Sequence, residues 1–201
     1  ILKSGLLMHG PWSKKFEENF SKNVGTKYSI SVNSCTTGIQ IALEYYKVKG
    51  FEVLVPSGSF QSGISAIKWV GAKPILVDMN PTTLSFSLED LKKKITDKTK
   101  GILWVHVTGL ISQEYKKIIK FAKDNKLFII EDCARAQGSS INQIQAGNLG
   151  DVGVFSFFPS KISTTGAGGM MTTNDKNLSE FAFKMRFFGR NLDKPGVSLE
   201  G

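Results

Sequence analysis

Cysteine and histidine are scarce in this chain, two of each in 201 residues. Cys35 and Cys133 lie far apart without a CxxC or Cys/His partner at ligand spacing, and the only histidines are His9 and His106, which argues against a zinc site. No apolar run approaches the roughly 20 residues that a membrane-spanning helix needs. The short apolar start over residues 1–8 carries no cleavage pattern of a secretory signal. Without such a signal, the glycosylation-like triplets at Asn19 and Asn177 are chance matches. GxGxxG and P-loop patterns, internal repeats and low-complexity stretches are all missing. There is also no dense arginine block. The formal charge of +9 comes from 26 Lys+Arg against 17 Asp+Glu, with the lysines spread over expected helices and most of them near an acid. That distribution reads as solvated helix faces and leaves room for anionic substrates, but it does not describe a nucleic-acid surface. A cytoplasmic protein is expected, and a first residue that is not Met suggests a start inside a longer one.

What is present is an alternation of short β-branched runs with longer amphipathic segments. Helices are expected over 12–23, where Phe16 and Phe20 stand four apart on one face, and over 36–46, 61–69, 113–124 and 176–187. Another opens at Ser87, with Asp90 in the capping-box position. Strands are expected over 28–32, 52–55, 73–77, 101–107, 127–131, 153–157 and 169–173. The last dozen residues, rich in Gly, Asp, Asn and Pro, read as a loop. Strands and helices in this order predict a three-layer α/β/α fold with a mainly parallel sheet covered on both faces. In such sheets ligands bind beyond the carboxyl ends of the strands.

Those strand tails carry the candidate residues. Asp132 follows an apolar run and emerges at the sheet edge, either as a turn residue or facing a ligand. Lys161 lies between an aromatic stretch and a Gly/Thr-rich one. A loop lysine is ordinarily solvated, yet one held among apolar groups can serve as nucleophile or base. Ser34, Cys35 and Thr36 join a strand to a helix, as an ordinary cap or as an anion site built on free N–H groups. Phe60 follows a Pro-Ser-Gly-Ser turn, as a core aromatic or as a platform for a flat ligand.

In order along the chain, several stretches resemble one family. They are Ser34-Cys35-Thr36, Val55-Pro56-Ser57 with Phe60, Val70-Gly71-Ala72-Lys73-Pro74, Ile130-Glu131-Asp132-Cys133-Ala134, the Gly150 to Phe157 run, Lys161, and Thr164-Thr165-Gly166-Ala167-Gly168-Gly169. Together they resemble the DegT/DnrJ/EryC1/StrS sugar aminotransferases, which have the fold-type-I, aspartate-aminotransferase-like fold and depend on pyridoxal phosphate (PLP). The resemblance implies that Lys161 carries PLP and moves the proton between substrate and cofactor. It implies that Asp132 pairs with the ring nitrogen, that Phe60 stacks on the ring, and that Ser34, Cys35, Thr36 and Ser156 surround the phosphate. Lysine at 161 separates this chain from related sugar dehydratases, which place a histidine there. The implied reaction moves an amino group, with glutamate as donor, onto a nucleotide-linked keto-sugar.

Three positions depart from the family's usual pattern. Arg135 stands where Gln or His is usual, beside the cofactor's phenolic oxygen; Ala167 replaces a usual Glu; Cys35 replaces a common Gly. By the same resemblance, residues 1–201 form the PLP-binding large domain, a small domain would follow Gly201, and a homodimer is expected. The alternatives are another fold-type-I reaction or a catalytically silent module.

Overall fold

The computed structural model describes residues 10–189; His9 and the expected loop over the last dozen residues lie outside them. In chain order the elements are α1 (Pro11–Val24), β1 (Tyr28–Val32), α2 (Cys35–Tyr45), β2 (Glu52–Pro56), α3 (Gln61–Trp69), β3 (Lys73–Val77), β4 (Met79–Asn80) and β5 (Ser85–Phe86). They continue with α4 (Leu88–Lys94), β6 (Thr99–Val105), α5 (Tyr115–Asp124), β7 (Phe128–Asp132), β8 (Ser140–Ile141), β9 (Ile144–Gln145), β10 (Val152–Ser156), β11 (Gly169–Thr173) and α6 (Lys176–Arg186).

Seven strands form one sheet in the order β1-β11-β10-β7-β6-β2-β3. The four pairings from β10 to β3 are parallel, while β11 runs antiparallel to both β10 and β1. Two antiparallel steps restore direction, so β1 ends at the same edge as β2, β6, β7 and β10, and β11 begins there. Central strands are buried along their whole length, as strands covered on both faces must be. One apolar cluster joins the sheet to α2, α3 and α6 through Ile39, Leu43, Ile67 and Leu178. The other joins it to α1, α4 and α5 through Val24, Leu91 and Ile118. The result is the three-layer arrangement expected from the alternation.

Local chemistry explains the boundaries. On α5, Tyr115, Ile118 and Ala122 face inward, while Lys117 and Lys120 pair with Glu114 and Asp124, both at 2.9 Å. At α4, Ser87 caps the N–H of Asp90 at 3.3 Å. The reciprocal half of the expected capping box is absent, because the Asp90 carboxylate instead accepts the N–H of Asp78 at 2.8 Å. Strand β6 stops two residues earlier than expected, since Thr108 (φ 56°) and Gly109 (φ 88°) turn the chain into a 3-10 turn over Val107–Gly109. The β4–β5 and β8–β9 hairpins were not expected from the sequence. Two-residue strands have no periodicity to read.

Candidate active site

The carboxyl edge of the sheet gathers the candidate residues. Helix α2 starts there. The Ser34 side chain accepts the N–H of Thr37 at 3.1 Å, leaving the N–H groups of Cys35 and Thr36 without intrahelical acceptors at the positive end of the helix. Gly169, the first residue of β11, lies hard against that start. A Cβ at this position would meet the Ser34 carbonyl carbon at 2.6 Å and the Cys35 nitrogen at 2.8 Å.

Asp132 ends β7 and is buried. Its Oδ1 accepts the Ala134 N–H at 3.0 Å and faces the Cys35 thiol at 3.7 Å. Burial pushes its carboxyl above the usual carboxylate range; the Ala134 N–H, the Cys35 thiol, and the charges of His106 and Lys161 pull it back. Lys161 lies on the loop between β10 and β11. That loop is closed by Phe157 N–H to Gly168 O at 2.9 Å and Thr165 N–H to Phe157 O at 3.2 Å. Phe157 anchors it, packing on Phe16 and Phe20 of α1 at ring separations of 5.4 and 5.7 Å. The Phe16–Phe20 pairing seen in the sequence thus fixes the base of the lysine loop.

Lys161, Asp132, Phe60, Ser34, Thr36 and Ser156 border a single cavity of about 410 Å³. Cys35 and Arg135 border it too, so all eight candidates from the sequence come together. Phe60 is 71% exposed, which leaves its ring bare instead of committed to the core. A second hollow of about 340 Å³ shares Phe60, Asp132, Arg135 and Lys161 and extends toward Ser59 and Thr108. A larger one of about 550 Å³, between α2, α3 and the end of α6, contains none of the candidates. Size alone does not identify the site.

The profile of the DegT/DnrJ/EryC1/StrS aminotransferase family matches residues 1–198. The chain belongs to that family. It is 41% identical over 184 residues to the GDP-perosamine synthase of Escherichia coli O157:H7, a match covering 91% of this chain and 50% of that protein. It is 37% identical over 191 residues to the dTDP-3-amino-3,6-dideoxy-alpha-D-galactopyranose transaminase of Aneurinibacillus thermoaerophilus, covering 94% and 52%. The aminotransferase structure from Psychrobacter cryohalolentis matches with a TM-score of 0.88 at 32% identity, over 94% of this chain and 50% of that one. The PLP form of Spr1654 from Streptococcus pneumoniae matches with a TM-score of 0.86 at 26% identity, over 91% and 52%. The chain therefore spans about half the length of these relatives. Its fold is that of the fold-type-I PLP-dependent large domain.

For a DegT/DnrJ/EryC1/StrS member, the donor set fits pyridoxal phosphate. One amine, one buried acid, one bare aromatic ring and one open helix start border the same cavity, and Gly169 lets β11 pack directly against the backbone of that helix start. Beneath the site lie residues to which the sequence reading gave no role. Glu131, fully buried, accepts the N–H groups of Leu149 and Gly150 at 2.8 Å and of Gly147 at 3.0 Å, and meets His106 Nε2 at 2.8 Å. His106 in turn donates its backbone N–H to the Asp132 carbonyl at 3.1 Å. The Gln137 amide donates to the Ser156 carbonyl at 2.6 Å, tying the end of β10 to the segment after Asp132. Glu131, His106 and Cys133 have the composition of a metal triad. The carboxylate is already saturated by four donors, so it has no lone pair to give a cation.

Proposed function

We propose that the protein bearing this chain is a PLP-dependent aminotransferase that delivers an amino group to the keto carbon of a nucleotide-linked sugar, with glutamate as donor. The observation that carries this reading is Lys161 and Asp132 bordering one cavity with an open helix start and a bare aromatic ring. When bound, pyridoxal phosphate supplies a carbonyl carbon that condenses with amines and a ring that withdraws electrons.

The chain's own residues would do the rest. The Lys161 amine would hold the cofactor and then, once displaced by the incoming amine, carry a proton off and back onto the substrate carbon. Asp132 would keep the ring nitrogen protonated. A cation set against the Asp132 carboxylate favours its ionised form and offsets the burial that raises it. The N–H groups of Cys35 and Thr36, with the hydroxyls of Ser34 and Ser156, would receive the phosphate at the positive end of α2. Phe60 would cover one face of the ring and exclude water. Its relatives named for GDP- and dTDP-linked sugars support the substrate class. The same proposal holds that residues 1–201 form the large domain of a cytoplasmic homodimer. Phe158 and Ile162, 58% and 70% exposed beside Lys161, are apolar surface that a second copy would cover.

The test is borohydride reduction of the protein with pyridoxal phosphate, followed by peptide mass mapping. The cofactor mass should appear on the peptide containing Lys161 and vanish in Lys161→Ala. An unmodified Lys161, in a protein extended past Gly201, would end the catalytic reading and leave the silent module.

A further inference from the structure

Two side chains without a partner border one hollow beside Lys161. Arg135, an exposed residue, lines both that hollow of about 340 Å³ and the adjoining cofactor-sized cavity, and among the described residues no hydrogen bond or ion pair holds its guanidinium away from them. Ser59 lines the same hollow, and its Oγ is buried without a hydrogen-bond partner. A buried hydroxyl left unpaired is destabilising, so such a group is kept where something else completes it.

The charges bordering the two cavities indicate what that is. Lys161 and Arg135 are the cationic side chains, apart from the titratable ring of His106, which is engaged by Glu131. Asp132 is the one carboxylate. In the functional reading above, on which this inference rests, Lys161 and Asp132 are both committed to the cofactor. Arg135 is the other fixed positive charge; the resemblance sets it beside the cofactor's phenolic oxygen, and it borders this hollow as well. A guanidinium matches a carboxylate in charge and in its two-pronged donor geometry, with the Ser59 hydroxyl as a further donor. A diphosphate carries more negative charge than this hollow balances, and the open helix start borders the adjoining cavity, not this hollow.

We infer that Arg135 and Ser59 form a carboxylate subsite that holds the amino-acid donor beside Lys161. Glutamine or histidine, the family's usual residues at 135, lack the guanidinium's fixed charge and fork, so this affinity is a property of the present chain.

The probe is glutarate, a dicarboxylate with no amine to react, titrated calorimetrically into the purified protein with and without pyridoxal phosphate. Arg135→Gln should weaken glutarate about 10- to 100-fold and Ser59→Ala about tenfold, the range for hydrogen bonds to a charged group. Arg135→Lys should restore part of the loss, and the cofactor should still attach at Lys161 in Ser59→Ala. Glutarate bound equally well by Arg135→Gln and wild type, or not bound by wild type at all, overturns the subsite. So does a guanosine diphosphate affinity that falls in Arg135→Gln while glutarate affinity does not. The titration without cofactor keeps this test separate from the functional reading. Failure of the adduct at Lys161 removes that reading, whereas an unchanged glutarate affinity removes only the subsite.

Discussion

The thiol of Cys35 is directed at the carboxylate of Asp132, Sγ to Oδ1 at 3.7 Å, across 97 residues of sequence. This contact ties the first turn of α2 to the end of β7, the helix start to the buried acid. It also gives Cys35 a role that the glycine common at this position could not fill, since a glycine offers no donor to Asp132. The substitution therefore leaves the helix start open and adds support to the acid.

The same contact governs the thiol's reactivity. Burial, followed by the neighbouring Asp132 charge, pushes the Cys35 thiol well above its ordinary range, and burial does the same to Cys133. The thiolate is the reactive form. We therefore expect neither cysteine to be alkylated by iodoacetamide at pH 8 in the native protein, and both to be alkylated after denaturation. Rapid native labelling of Cys35 would show that its thiol is not packed against Asp132.

Asp132 should be costly to stability as well as needed for function. Burial raises its folded carboxyl above 3.8, the ordinary value of an aspartate. The folded state then binds more protons than the unfolded one between those two values, and stability falls as pH rises through that window. Asp132→Asn keeps an oxygen for the Ala134 N–H and removes the buried charge. In the cofactor-free protein we expect this variant to match wild type below pH 3.8 in its contribution to stability. It should melt a few °C higher above the window, while binding pyridoxal phosphate at least about tenfold more weakly. Thermal melts across pH, paired with cofactor titrations, measure both effects.

The sequence made much of this arrangement legible, and the reasons are specific. Strands Tyr28–Val32, Lys73–Val77 and Gly169–Thr173 fall where they are expected, because Gly, Pro or Asn stands at or beside their ends. Asp132 and Lys161 were found as strand tails, a position that follows from the alternation alone. Their roles came from the family resemblance. Contacts between distant positions were not readable. Glu17 pairs with Arg186 across 169 residues, joining α1 to α6 over Ser31, and neither residue stands out in its own segment. The antiparallel direction of β11 was equally hidden, since nothing in Gly169–Thr173 distinguishes one chain direction from the other.

Glu131 should be among the least replaceable residues of the chain. It and His106 are both fully buried, and the carboxylate completes three backbone N–H groups of the 147–150 turn besides the imidazole. Glu131→Gln puts an amide N–H₂ against two existing donors. Leaving the donors of a buried carboxylate unpaired costs about 1–3 kcal/mol each, and a domain of this size loses roughly 2–4 °C of melting temperature per kcal/mol. The melting temperature should therefore fall by on the order of 10 °C, nearly independently of salt because the pair is shielded from solvent. A drop within 2 °C, or one that added salt reproduces in wild type, would count against the saturated-carboxylate account.

Gly169 offers a way to disturb the helix start without touching any side chain in the site. A methyl group there would press on the Ser34 carbonyl carbon, the Cys35 nitrogen and the Phe155 carbonyl oxygen at 2.6 to 2.8 Å. All three are backbone atoms, so relief requires α2 and β11 to move apart. Gly169→Ala should then displace the N–H groups of Cys35 and Thr36 while leaving Lys161 and Asp132 chemically intact. Overpacking of this kind costs about 1–3 kcal/mol, and the loss should fall mainly on phosphate recognition. We expect pyridoxal phosphate to bind about tenfold more weakly, while pyridoxal, which lacks the phosphate, loses little. Measuring both ligands by absorbance titration separates a displaced phosphate site from a general loss of folding. A helix start that does not receive the phosphate would leave the two affinities falling together.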